Sequence, residues 1–214
     1  MTRPESLQTV GVLGAGKLGL VIANLAVTAG YAVRVAGSGD PKYIALSVAM
    51  YAKGAKPTTA REAVDGADLV VLAVPLHRVQ DLPSDALSGH VVVDSTNHWE
   101  AVDGPMPAFT NAPGGTSSVV AEALPGTRLV KALGHVAYEQ LSAHARDERR
   151  VAIGIASDDS DAAEVVAGFI RAIGFEPVHL GALAAGVALQ PGSLAFGSAL
   201  HPDALLRIVT GTPS

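Results

Sequence analysis

The stretch Val10-Gly11-Val12-Leu13-Gly14-Ala15-Gly16-Lys17-Leu18-Gly19 leaves few folds open to this chain. A short apolar run breaks into glycines spaced G-x-G-x-x-G at Gly14, Gly16 and Gly19. Leu18, Val21, Ile22 and Leu25 then recur at helical spacing up to Ala29-Gly30,. Strand, tight turn and helix in that order are the setting in which such glycines bind a dinucleotide. Gly14 then permits the turn, Gly16 lets main chain approach a pyrophosphate, and Gly19 lets the helix pack closely on the strand. The helix N-terminus adds free N–H groups and partial positive charge for the phosphates. The structural alternative is a glycine-rich turn in some other α/β protein.

The length of 214 residues suits one domain plus a small lobe,. Hydrophobic residues make up 49% of the chain and aromatics only 4%, so its core is built from Ala, Val and Leu. Such a core suits parallel strands covered on both faces by helices. A net charge of −5 with no basic cluster argues against a nucleic-acid or anionic-membrane partner,. With no cysteine, disulfides and thiolate chemistry are excluded,. Met1 to Thr9 carries Arg3 and Glu5 and lacks the apolar core of a signal peptide,. The longest apolar candidate, Leu18 to Ala29, is interrupted by Asn24 and Thr28 and falls short of a membrane span,. A soluble, cytoplasmic protein is the expectation.

Taken in order, Leu7 to Leu13 reads as the first strand, Lys17 to Ala29 as the first helix and Tyr31 to Ala36 as the second strand. Asp40-Pro41 reads as a cap and N1 proline opening a helix to about Lys53,. Ala55 to Pro57 is a short strand, and Thr59 with Glu62 makes a capping box,. Leu69 to Val74 is a buried central strand, with a helix from Pro75 to about Leu82,. Val91 to Val93 is a fifth strand, carrying Asp94-Ser95-Thr96-Asn97-His98 at its carboxyl end. Residues 99–115 read as a long loop, and Ser117 or Ser118 caps a helix to Leu124,. Arg128 to Ala132 is the sixth strand. The β-α-β alternation predicts a doubly wound parallel (Rossmann) sheet over residues 1–145. Beyond the charged break at Arg146–Arg150, strand, amphipathic helix and strand predict a smaller C-terminal α/β lobe over 146–214. Its apolar tail, Gly181 to Leu206, covers either a site or a subunit contact, and it supports a homodimer,.

Ligands of open α/β sheets bind beyond the carboxyl ends of the strands. Five loops belong there: Gly14–Gly19, Ala36–Lys42, Val74–Arg78, Asp94–His98 and Lys131–His135. An acidic residue ending the second strand would accept from a ribose 2′-OH and select NAD. Ala36 stands there, followed by Gly37, Ser38 and Gly39. Ser38 can donate to a 2′-phosphate and Lys42 can supply a point charge, so the balance leans to NADP. Asp40 is open to two readings, an NAD carboxylate or, given Pro41, a helix cap. The seven histidines show no metal-ligand spacing, and no G-x-S-x-G, P-loop or compelling carboxylate pair occurs. No metal site and no catalytic side chain is expected.

The motifs Gly14-Ala15-Gly16-Lys17-Leu18-Gly19, Gly37-Ser38-x-Asp40-Pro41, Val70 to Pro75, Val92 to Asn97, Leu129 to Leu133 and Gly174-Phe175-x-Pro177 occur in this order. Together they resemble the NADPH:F-420 oxidoreductase family, Rossmann-fold enzymes that pass hydride between NADP and the deazaflavin coenzyme F-420. The resemblance covers about the whole chain. It implies that Ala15 to Leu18 hold the pyrophosphate and Ser38 the 2′-phosphate. It places Val74, Pro75 and Asn97 along the nicotinamide riboside. Ala132, Leu133, Gly134 and His135 border the place where the two rings stack. Two positions depart from the family. Gly39 stands where members commonly have Arg, and Gly134-His135 replaces the usual pair beside the second substrate.

Hydride transfer between two cofactor rings asks the protein for orientation and exclusion of water, with no protein acid. Three alternatives stay open: an imine or carbonyl reductase of the pyrroline-carboxylate type, a ferric or flavin reductase, and an NADP-sensing module without turnover. The imine or carbonyl reading needs a proton donor, for which His135 and Tyr138 are the candidates.

Overall fold

The computed structural model describes residues 7–211. Arg3 and Glu5, on which the expectation of no signal peptide rests, lie outside the described residues. Eight strands form a single sheet: β1 (Thr9–Leu13), β2 (Ala32–Ala36), β3 (Lys56–Thr58), β4 (Leu69–Leu72), β5 (Val91–Asp94), β6 (Arg128–Lys131), β7 (Ala152–Ala156) and β8 (Glu176–Gly181). Their spatial order is β3-β2-β1-β4-β5-β6-β7-β8. Strand order reverses beside β1, which pairs in parallel with both β2 and β4. Ligands of such sheets sit outside the strand ends at that reversal.

Alternation along the strands assigns the two faces, because successive side chains of a strand point to opposite sides. Val10, Val12, Leu69, Val71 and Val93 pack on one face with Ile22, Leu25, Val166, Phe169 and Ile170. These last five come from the helices Lys17–Thr28 and Ser160–Ala172. Val70, Leu72 and Val92 turn to the other face, against Val64, Leu87, Val120 and Leu124. Both faces are therefore dry, which is why the strands read as continuous apolar runs.

Around residue 145 the sheet continues. β7 joins β6 in antiparallel sense through Lys131 and Ala156, and β8 pairs in parallel with β7. Asp159 caps the intervening helix by accepting from the Ala162 N–H, and it binds the Arg128 guanidinium at 2.7 Å. Arg128 and the helix N–H hold its carboxyl down at about 2. The apolar tail folds back on its own chain, with Leu183, Leu189, Ala195 and Leu205 buried. Val187, Leu194 and Leu206 of the same tail stay exposed, so its apolar surface is covered within the chain only in part.

Several local expectations shift. Residues 99–115 contain two single-turn helices, Glu100–Asp103 and Pro107–Thr110. Their Gly104 and Pro107 act as stop and start signals rather than loop formers,. The helix expected from Asp40 is a 3-10 turn, Pro41–Tyr43, followed by Ala45–Tyr51. The segment after Pro75 is also a 3-10 helix, Leu76–Asp81. The tail carries a 3-10 helix, Leu183–Leu189, and an α-helix, Pro202–Thr210. Neither Ser117 nor Ser118 caps its helix. Gly115 holds the N-cap position, and the Ser117 hydroxyl donates to Asp94 instead. Among the described residues no helix is long and apolar enough to cross a membrane.

Candidate dinucleotide site

The three fingerprint glycines have different neighbours. Gly14 adopts φ +128, and a Cβ there would lie 2.1 Å from the Ala73 carbonyl oxygen. A Cβ on Gly19 would lie 1.9 Å from the Gly14 carbonyl oxygen. Both are glycine because backbone passes too close for a side chain. Gly16 differs: its φ of −79 and ψ of −176 suit any residue, and a Cβ would meet nothing within 4 Å. It is also the N-cap of the helix Lys17–Thr28 and supplies no side-chain cap. The first N–H groups of a 12-residue helix thus face open space,.

A cleft of about 600 Å³ opens at this point. Its floor is Gly14, Ala15 and Gly16, and one wall is Gly37, Ser38 and Gly39 from the end of β2. The Gly14 N–H donates to the Ala36 carbonyl at 2.8 Å and ties floor to wall. The opposite wall comes from the end of β4: Ala73, Val74 and Pro75, then His77, Arg78 and Asp81 of the following 3-10 helix. Predicted residues Gly14, Ala15, Gly16, Ser38, Gly39, Val74 and Pro75 therefore share one cleft. Arg78 ends the Val74–Arg78 loop expected at this rim but was given no role there, and Asp81 escaped sequence reasoning. The available signal was the one-turn spacing from Pro75 to Arg78, which returns a side chain to the strand end.

Lys17, Leu18, Gly19 and Lys42 do not line this cleft. Lys17 sets its ammonium over the Tyr138 ring, 5.2 Å from the centroid. Leu18 is half-buried and packs against the core. Lys42 binds Asp40 at 2.9 Å and stands 5.1 Å from the centre of its neighbour Tyr43. Asp40 accepts from the Lys42 N–H and caps the 3-10 turn, so its helix-cap reading is the one the geometry shows. Lys42 holds the Asp40 carboxyl below the usual carboxylate range.

Beyond β5 and β6 lies a second cluster, buried and polar. Asp94 accepts from the Thr96 N–H at 2.9 Å, the Thr96 hydroxyl at 2.6 Å and the Ser117 hydroxyl at 2.6 Å. The Lys131 ammonium, 1% exposed, stands 3.5 Å from Asp94 and also donates to the Thr96 carbonyl. Burial lowers the Lys131 pKa and Asp94 opposes that shift. This cluster fixes the loop that presents Asn97, whose Nδ2 donates to the Gly134 carbonyl at 2.7 Å. Its Oδ1 is buried and has no hydrogen-bond partner. A buried acceptor left open is costly, and a ligand donor would satisfy it.

A Cβ on Gly134 would lie 2.6 Å from the Ser95 carbonyl, so the Asp94–His98 and Lys131–His135 loops are packed backbone on backbone. Ala132 and Leu133 are fully buried, and Leu133 sits at φ +66. That conformation costs a branched residue about 1–3 kcal/mol and tends to occur at functional sites. His135 is 2% exposed. Burial, partly offset by a hydrogen bond with the Ala152 backbone, pushes its pKa down to about 4. The imidazole is therefore neutral at physiological pH. Among the described residues no His, Asp and Glu cluster fit for a metal ion occurs.

The open main chain at Gly16 and the orphaned Asn97 oxygen fit a bound dinucleotide. Comparison with known proteins agrees. Residues 9–98 match the family described as NADP oxidoreductase, coenzyme F420-dependent. The match runs from β1 through the loop bearing Asn97.

Metalloreductase STEAP3 of Rattus norvegicus is 31% identical over 183 residues, which is 85% of this chain and 35% of that protein. The chain thus spans about a third of the length of this curated relative. A hypothetical protein from Sinorhizobium meliloti has the same fold with a TM-score of 0.81 and 27% identity, covering 92% of this chain and 97% of its own. A protein from Arthrobacter sp. FB24, provisionally assigned as an F420-dependent NADP reductase, superposes with a TM-score of 0.72 at 19% identity. That match covers 86% of this chain and 89% of the other.

Proposed function

We propose that the chain is an NADP-dependent oxidoreductase that exchanges hydride between NADP(H) and the deazaflavin F-420. The observation that carries the reading is the unobstructed main chain at Gly16, set on a helix N-terminus at the switch in strand order. Ala15 to Leu18 hold the pyrophosphate by backbone N–H groups, and Ser38 meets the 2′-phosphate. Val74, Pro75 and Asn97 line the nicotinamide riboside, the Asn97 oxygen accepting from it. NADP supplies a hydride donor or acceptor when bound.

The remaining work belongs to the chain itself. The Asp94–Lys131 cluster and the packed Gly134 hold two loops against each other, which fixes the space beside Asn97 and excludes water from it. Ala132 to His135 border the second ring. A proton donor is not required for transfer between two rings. His135 is neutral, and Tyr138 lies beneath the Lys17 ammonium. The neutral imidazole weighs against His135 as the proton donor that an imine or carbonyl would need, and leaves Tyr138 for that role. The likeness to a metalloreductase keeps a ferric or flavin acceptor as the second reading.

The purified protein, given NADP and reduced or oxidised F-420, is expected to change the deazaflavin absorbance. Turnover only with an imine, or only with ferric chelates or free flavin, replaces that acceptor. Tight NADP binding without turnover on any of them leaves a sensor. Absence of binding to both NADPH and NADH ends the reading.

A further inference from the structure

A 2′-phosphate brings close to two negative charges into the cleft, and the end of β2 offers little to meet them. Ser38 supplies a hydroxyl, Gly39 supplies no side chain, and Lys42 is turned back on Asp40. Nothing in the fold demands the glycine at 39. Its φ lies outside the left-handed region, and a Cβ there would meet no atom within 4 Å. The space beside Ser38 is simply open. Across it, Arg78 is the one lysine or arginine among the residues lining the cleft.

We propose that Arg78 is the residue that selects NADPH over NADH, reaching the 2′-phosphate from the turn after β4 in place of a cation on the loop after β2. The proposal rests on the NADP reading above. Among the described residues the half-exposed guanidinium is held by Asp81, its neighbour three residues on, which is itself half exposed. Exposed pairs of this kind are weak and exchange readily. A guanidinium meets a phosphate through two parallel N–H···O bonds, which a carboxylate three residues away on the same turn cannot outcompete once the dianion arrives. Asp81 then keeps the cation folded over the cleft while the site waits. It also adds a negative charge that disfavours a loosely placed phosphate. Open space at Gly39 is what lets a long side chain come from the far wall.

Calorimetric titration of NADPH and NADH into the wild type, Arg78→Ala, and Arg78→Ala combined with Gly39→Arg tests this. Arg78→Ala is expected to weaken NADPH tenfold or more, equivalent to about 1.4 kcal/mol, while NADH stays within twofold. Gly39→Arg in that background is expected to restore most of the preference. NADH affinity and an unchanged Tm serve as controls for folding. An unchanged NADPH:NADH ratio in Arg78→Ala overturns this assignment and leaves the nucleotide reading standing. Equal loss of both ligands also overturns it, since that places Arg78 on a group the two share. A wild type that binds neither dinucleotide removes both readings together.

Discussion

Gly16→Val separates a ligand-facing glycine from a structural one. The backbone at Gly16 is extended, and a new Cβ meets no protein atom within 4 Å. Replacing glycine in a permitted conformation stabilises by about 0.4–1 kcal/mol through the unfolded chain. Valine is a poorer N-cap than glycine by a comparable amount, since apolar caps cost about 0.5–2 kcal/mol against the best ones. The two effects offset, so Tm is expected to move by no more than about 4 °C. Binding is another matter. The isopropyl group occupies the space through which a pyrophosphate reaches the first helix N–H groups. Loss of two charge-assisted hydrogen bonds, at about 1.5–3 kcal/mol each, weakens NADPH by roughly 10²- to 10⁴-fold. Gly19→Ala is the contrast. Its Cβ would lie 1.9 Å from a carbonyl oxygen, so stability should fall by about 1–3 kcal/mol or more,. Calorimetry with NADPH and a thermal melt on each variant give both numbers. Near-wild-type NADPH affinity in folded Gly16→Val would refute the placement of the phosphates.

Two further outcomes follow from the buried cluster and its neighbour. Asp94→Ala leaves the Lys131 ammonium buried without its carboxylate and is expected to cost about 3–5 kcal/mol in a urea melt; a loss below ~1 kcal/mol would show that the pair is dispensable. His135 takes up a proton near its ordinary 6.5 when unfolded but only near 4 in the folded chain, so protonation favours the unfolded state between those values. Stability should therefore fall as pH drops from about 6.5 to about 4, by about 3 kcal/mol in all. His135→Gln should flatten that part of the profile, and an unchanged slope would mean that the ring is hydrated.

What the sequence determined by itself was the scaffold and the place of the floor. Spaced glycines between an apolar run and a helical repeat have one economical use, and near-continuous valine strands need helices on both faces. The capping box at Thr59 and Glu62 was legible for the same reason: both halves lie within three residues, and the Thr59 N–H donates to Glu62 at 2.9 Å. Local chemistry suffices there.

What only the tertiary structure decided depends on groups far apart in the chain. Ser117 looks like a helix cap until Asp94, 23 residues earlier, is found within 2.6 Å of its hydroxyl. Lys131 looks like the end of a strand until its burial beside Asp94 appears. Gly14 and Gly19 carry the same letter as Gly16, yet two of the three are crowded by backbone and one is open. Arg78 enters the cleft because a 3-10 turn carries it there. A spacing records which atoms are neighbours along the chain. Clearance, burial and charge pairing depend on which atoms are neighbours across it.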